Sequence, residues 1–106
     1  MSLTVGSVWE IVRQGGPNRR IRITAADEIT FTAVYENLDN DSIFTGEIWA
    51  REKQVINIKQ HDQNAGYVAF QTGIQKKGSF DQEYYEGAWY DVAGHHGGTF
   101  QLMKVG

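Results

Sequence analysis

Short runs of alternating apolar and polar residues, each cut off by a turn signal, recur along this chain and limit what it can fold into. Arg20-Ile21-Arg22-Ile23-Thr24 is the clearest, with isoleucines on one side and arginines on the other. A period of two sends successive side chains to opposite faces, so it marks a strand with one buried face. No stretch sustains the 3.6-residue period of an amphipathic helix. Ala25-Ala26-Asp27-Glu28 is too short to stand as a helix and reads as a turn.

Eight such strands are expected. The first spans residues 7–14 and stops at Gly15-Gly16-Pro17-Asn18, where Gly admits positive φ and Pro fixes its own. The others span residues 20–24, 29–36, 43–51, 54–61, 67–75, 83–91 and 98–104. Between them fall Asn37-Leu38-Asp39-Asn40-Asp41, Glu52-Lys53, Asp62-Gln63-Asn64-Ala65-Gly66, a connection around Gly78, and Gly94-His95-His96-Gly97. Strands joined in sequence by short connections can close into an up-and-down barrel, which removes both sheet edges. A β-sandwich is the alternative, but it normally needs a long crossover, and none of these connections is long.

A length of 106 residues supports one domain, residues 1–106, and the 41% hydrophobic content supports a packed core. The absence of cysteine excludes disulfides, thiol nucleophiles and thiolate metal sites. A net charge of −3 argues against nucleic acid as a general partner, and no apolar run is long enough for a membrane-spanning helix. The N-terminus shows no basic region followed by an apolar stretch, so a cytoplasmic protein is expected.

Phe44-Thr45-Gly46-Glu47-Ile48-Trp49 and Tyr85-Glu86-Gly87-Ala88-Trp89 form a short internal repeat, an aromatic followed by Gly and then Trp. Glycine within a strand marks a bend or the close approach of another backbone, which curled barrel strands require. The first of these elements is similar to the hydrophobic-Thr-Gly-x-aromatic element of the calycin-like barrels, the avidins and lipocalins. Trp9 matches their Trp in the first strand. The resemblance implies a small eight-stranded antiparallel barrel with an internal pocket. The chain departs from the lipocalins in placing Gly6 three residues before Trp9, and it has no match to the late Trp-Leu-Leu element of avidins. No avidin ligand-binding residue carries across, so biotin binding is not implied.

Several residues are candidates for function. Tyr85, Gly87, Trp89 and Asp91 share one face of the seventh strand, opposite Tyr84, Glu86, Ala88 and Tyr90, so both faces are aromatic. One of them lines a cavity or packs on another subunit. Trp9, Tyr35, Trp49, Tyr67, Tyr85 and Trp89 are expected to line or cap a site, with Asp91 and Asn57 orienting the ligand. His95 and His96 lack the spacing of a metal site, and neither metal nor cofactor is expected. Arg13, Arg19, Arg20 and Arg22 face only Glu10 in the first 22 residues and read as a basic, solvent-facing hairpin, with a local site for phosphate or sulfate groups as the alternative. There is no Gly-x-Ser-x-Gly turn, no phosphate loop and no ordered Ser/His/Asp pattern.

These features point to binding of a small molecule or carbohydrate, of a class the sequence leaves open, in or near the mouth of a barrel that assembles as a homo-oligomer. An oligomeric interaction module with a filled barrel is one alternative. A cyclase or isomerase of the calycin-like kind, using a His or carboxylate inside the barrel, is another.

Overall fold

The computed structural model describes residues 3–36, 42–49, 55–62, 66–77, 83–92 and 96–106. Eight strands run through them: β1 (Val8–Arg13), β2 (Arg19–Ala26), β3 (Thr30–Tyr35), β4 (Ser42–Trp49), β5 (Val55–Asp62), β6 (Val68–Lys77), β7 (Glu83–Asp91) and β8 (Gly97–Lys104). Each pairs antiparallel with its neighbour in sequence, and β8 returns to β1, so the sheet closes into a barrel. No helix among the described residues is long and apolar enough to cross a membrane.

The alternation seen in sequence sets the inside and the outside. On β2, Ile21 and Ile23 are buried while Arg20 and Arg22 face solvent. On β5, Ile56, Ile58 and Gln60 point inward and Asn57, Lys59 and His61 outward. The run Ala25-Ala26 departs from expectation. It continues β2, pairing with Thr32 and Phe31 beyond a register shift between Ile23 and Ala25. The turn is confined to the residues after it, where Asp27 Oδ1 accepts the amides of Ile29 (2.9 Å) and Thr30 (2.7 Å). An extra residue in the ladder lets the strand resume pairing, which the alternation rule alone does not foresee. The expected breaks at Asn37–Asp41 and Glu52-Lys53, and the residues Gly78 and His95, lie outside the described residues.

Glycines shape the wall where two strands come too close for a side chain. Gly87 faces Gly73 across the β6–β7 ladder. A Cβ on Gly87 would meet the Thr72 carbonyl oxygen and lie 2.6 Å from Gly73 Cα. At Gly46 the intruder is the Phe31 ring, with the Asn57 carbonyl oxygen 3.0 Å away. Both positions of the internal repeat are therefore sites of close approach, one against backbone and one against a side chain.

The two ends of the barrel differ. At the end where β1 begins, residues ahead of β1 run beside β2, with the Gly6 amide donating to the Ile23 carbonyl and the Ile23 amide to the Ser7 carbonyl. Leu3 is fully buried in the same core cluster as Trp9, Ile23 and Tyr85. That end is filled mainly by apolar side chains, with Ser7 as a buried polar residue among them. At the opposite end, four polar residues, Arg13, Ser42, Gln60 and Asp91, are buried beside apolar ones such as Ala69 and Phe100.

Candidate functional site

A strand whose inward positions are apolar for most of its length can still end on an inward polar residue. β1 presents Trp9, Ile11 and then Arg13 to the interior; β5 presents Ile56, Ile58 and then Gln60; β7 presents Tyr85, Trp89 and then Asp91. Because the meander brings these strand ends to one rim, the polar residues meet there.

Arg13 is 9% exposed. Its Nη1 donates to Gln60 Oε1 at 2.6 Å and its Nη2 to the Tyr35 hydroxyl at 3.3 Å. Gln60 Nε2 in turn donates to Tyr35 Oη (2.9 Å) and Ser42 Oγ (3.1 Å). The guanidinium carbon lies 5.3 Å from the centroid of the Trp89 ring, within cation–π range. Trp89 is fixed by its indole N–H, which donates to the Gln14 carbonyl at 3.2 Å.

Beside this cluster, Asp91 accepts the His96 amide at Oδ1 (3.2 Å), and its Oδ2 lies 3.2 Å from His96 Nδ1. The Tyr67 hydroxyl donates to Oδ2 over a long 3.5 Å. Burial raises the Tyr67 pKa above its ordinary value, opposed by the charge of Arg13 and helped by the charge and hydrogen bond of Asp91. Tyr67 is therefore a phenol and a hydrogen-bond donor at neutral pH. Arg13, Tyr67, Trp89, Asp91 and His96, with the Gln14-Gly15-Gly16-Pro17 turn, enclose a cavity of about 530 Å³ that opens to solvent. That volume lies within the range of small-molecule sites.

The candidate residues divide three ways. Tyr67, Trp89 and Asp91 line the cavity of the polar mouth, and Tyr35 joins them through Arg13 and Gln60 without lining it. Trp9 and Tyr85 sit in the core with ring centroids 6.2 Å apart, and the Trp9 indole is satisfied by Ser7 Oγ at 3.0 Å. Trp49 and Asn57 lie on the outside: Trp49 is 53% exposed and donates to Glu47, and Asn57 accepts from the Thr72 hydroxyl at 2.6 Å. Arg13, Gln60 and His96 belong to the mouth although sequence reasoning did not place them there. Arg13 departs from the expected basic, solvent-facing hairpin by turning inward, while Arg20 and Arg22 keep that role. The signal that could have found Arg13 and Gln60 is their phase, which each shares with the apolar residues two and four positions earlier.

A second, larger concavity of about 870 Å³ lies on the outer wall of β3 to β7. Thr32, Thr45, Glu47, Lys59, Phe70 and Tyr90 contribute to it, and Phe70 stacks on Tyr90 with centroids 5.4 Å apart. It is broader than the mouth but presents no buried charge, so the mouth is the better-built site.

One group stands apart. Gln71 is 1% exposed in the barrel interior between Ile58 and Trp89, and neither its amide nitrogen nor its oxygen has a hydrogen-bond partner in the structure.

No family model matches this chain, and neither does any curated protein sequence or any solved structure.

Proposed function

We propose that this barrel binds a small organic molecule in its polar mouth. The observation that carries the proposal is the asymmetry of the lumen: one end filled by Leu3, Trp9 and Tyr85, the other lined by Arg13, Tyr67 and Asp91 around an open cavity. Evolving polar groups toward the inside of a small barrel is costly unless they meet something. Kinship with the calycin-like barrels is part of the proposal and rests on Trp9 in β1 and on the Phe44-Thr45-Gly46 element. A cyclase or isomerase draws less support: His61 and His96 are both exposed and Glu47 and Glu86 lie on the outer wall, so of its candidate groups Asp91 alone is buried at the cavity.

Tryptophan fluorescence tests the binding proposal. Titration with a panel of sugars, organic acids, amides and heterocycles should give a saturable change in the wild type and in Trp49→Phe, and none in Trp89→Phe. Silence across the panel, or a response that persists without Trp89, would overturn it.

A second reading is favoured by the Phe70–Tyr90 stack together with Trp49, all on the outer wall: this face packs against another copy of the chain. Light scattering on the wild type and Tyr90→Lys checks it, with a dimer or larger assembly expected for the wild type and dissociation for the variant. A monomeric wild type removes this reading and leaves the mouth untouched.

A further inference from the structure

We infer that the ligand of the mouth is a carboxylic acid whose anion sits against Arg13; the inference rests on the small-molecule proposal above. A guanidinium keeps its charge at every physiological pH, and a buried charge is expensive unless matched. Arg13 is buried, yet its contacts among the described residues are an amide oxygen, a phenol and an indole ring, all neutral. It forms no ion pair with any described carboxylate, and His96 and Tyr67 are among the partners that hold Asp91.

The cluster also has more donors than acceptors. Two of the five guanidinium N–H groups are used by Gln60 and Tyr35. The Tyr35 hydroxyl accepts from both Arg13 and Gln60, and its own proton finds no acceptor among the described residues. An acceptor-only group that carries a negative charge satisfies both the charge and the surplus protons. A carboxylate does so with two oxygens in the geometry a guanidinium fork prefers.

The same cavity selects among anions. Arg13 and Asp91 both line it, so a doubly charged phosphate would meet the Asp91 carboxylate as well as Arg13. A singly charged carboxylate meets less repulsion. Trp89 and Pro17 supply apolar wall for the rest of the molecule. Arg13 is held in place before any ligand arrives, by Gln60, Tyr35 and the Trp89 face, so little side-chain entropy remains to be lost on binding.

The test uses matched acid and amide pairs: benzoate and benzamide, naphthoate and naphthamide, hexanoate and hexanamide. Each is titrated at low salt into isotope-labelled wild type, Arg13→Met and Arg13→Lys while backbone amide NMR shifts are followed. In the wild type the acids should bind about tenfold more tightly than their amides, with shifts centred on Gly16, Tyr67 and His96. The preference should vanish in Arg13→Met and survive in part in Arg13→Lys. Equal affinity for acid and amide, or an acid preference that persists in Arg13→Met, overturns the anion inference and leaves the mouth proposal standing. No shift at the mouth with either member of any pair overturns both. Should Arg13→Met lose its native spectrum, Tyr35→Phe takes its place: a reduced acid preference supports the inference, and an unchanged one overturns it.

Discussion

The Arg13 guanidinium donates to the Gln60 side-chain oxygen over 2.6 Å, joining the first strand to the fifth across the lumen. In a closed ring of eight strands these two lie opposite each other, so the bond ties the rim across its diameter. The Arg13–Tyr35 and Gln60–Ser42 bonds extend the tie to β3 and β4. The mouth is thus a braced opening, and side chains around it are held by one another as well as by the sheet.

Gln71→Leu should raise stability. The buried amide of Gln71 lacks partners for both its nitrogen and its oxygen, and an unsatisfied buried polar group costs on the order of 1–3 kcal/mol. Leucine removes the polar atoms at nearly the same volume. Thermal and denaturant unfolding of the two proteins is the check. An unchanged or lower stability in the variant would mean that the amide is satisfied in solution, by water or by a ligand.

Gly87→Ala should cost more than Gly46→Ala. At Gly87 the added carbon meets the backbone of Thr72 and Gly73, which can move only by distorting the ladder, whereas at Gly46 it meets chiefly the Phe31 ring. A loss of roughly 1–3 kcal/mol is expected at Gly87. Phe31→Leu should recover part of the loss at Gly46 and none at Gly87. Denaturant midpoints for the four variants decide this, and equal losses at both sites would remove the distinction between backbone and side-chain crowding.

Leu3→Ala should destabilise the barrel by about 2–5 kcal/mol, the usual range for removing a fully buried leucine. Leu3 is fully buried although it precedes the first strand. A melting temperature equal to the wild type would show that the filled end does not depend on it.

Asp27 carries an acid-sensitive contribution. Its pKa lies below the ordinary value of 3.8, first because the Thr30 amide donates to it, then the Ile29 amide and the Thr30 hydroxyl, with desolvation opposing. A depressed carboxylate stabilises the fold above its ordinary pKa, and that stabilisation is lost as pH falls through the lowered value. Asp27→Ala should therefore melt below the wild type at neutral pH, and the difference should shrink in strong acid. A difference that stays constant into acid would show that the carboxylate charge is not its source.

The fold was legible in the sequence because one simple property carried it. Alternation within β2 and β5 fixed which residues face inward, and the Gly-rich stop after β1 fixed the first turn. The mouth was legible only in part. Tyr67, Trp89 and Asp91 follow from phase and strand position. Trp49 and Asn57 have the chemistry of a binding site, but their neighbours Ile48 and Ile56 take the inward phase and send them outside. Arg13 lies close in sequence to Arg19, Arg20 and Arg22, but it shares its phase with Trp9 and Ile11. Partnerships such as Arg13 with Gln60, 47 residues apart, depend on barrel closure and leave no local trace. The bulge after Ile23 is likewise a property of the ladder and not of Ala25-Ala26.

Seven of the eight ladders join neighbouring strands and can form as local hairpins; the eighth joins Trp9 to Lys104 and its companions across nearly the whole chain. Closing so large a loop carries the greatest entropic cost of any step in the fold, which places it late in folding. Arg13 sits on the strand that makes this last junction, paired with Phe100. The mouth is thus assembled only when the ring shuts, so its occupant has nothing to grip in the open chain. A ligand there would prolong the lifetime of the finished barrel without hastening its formation.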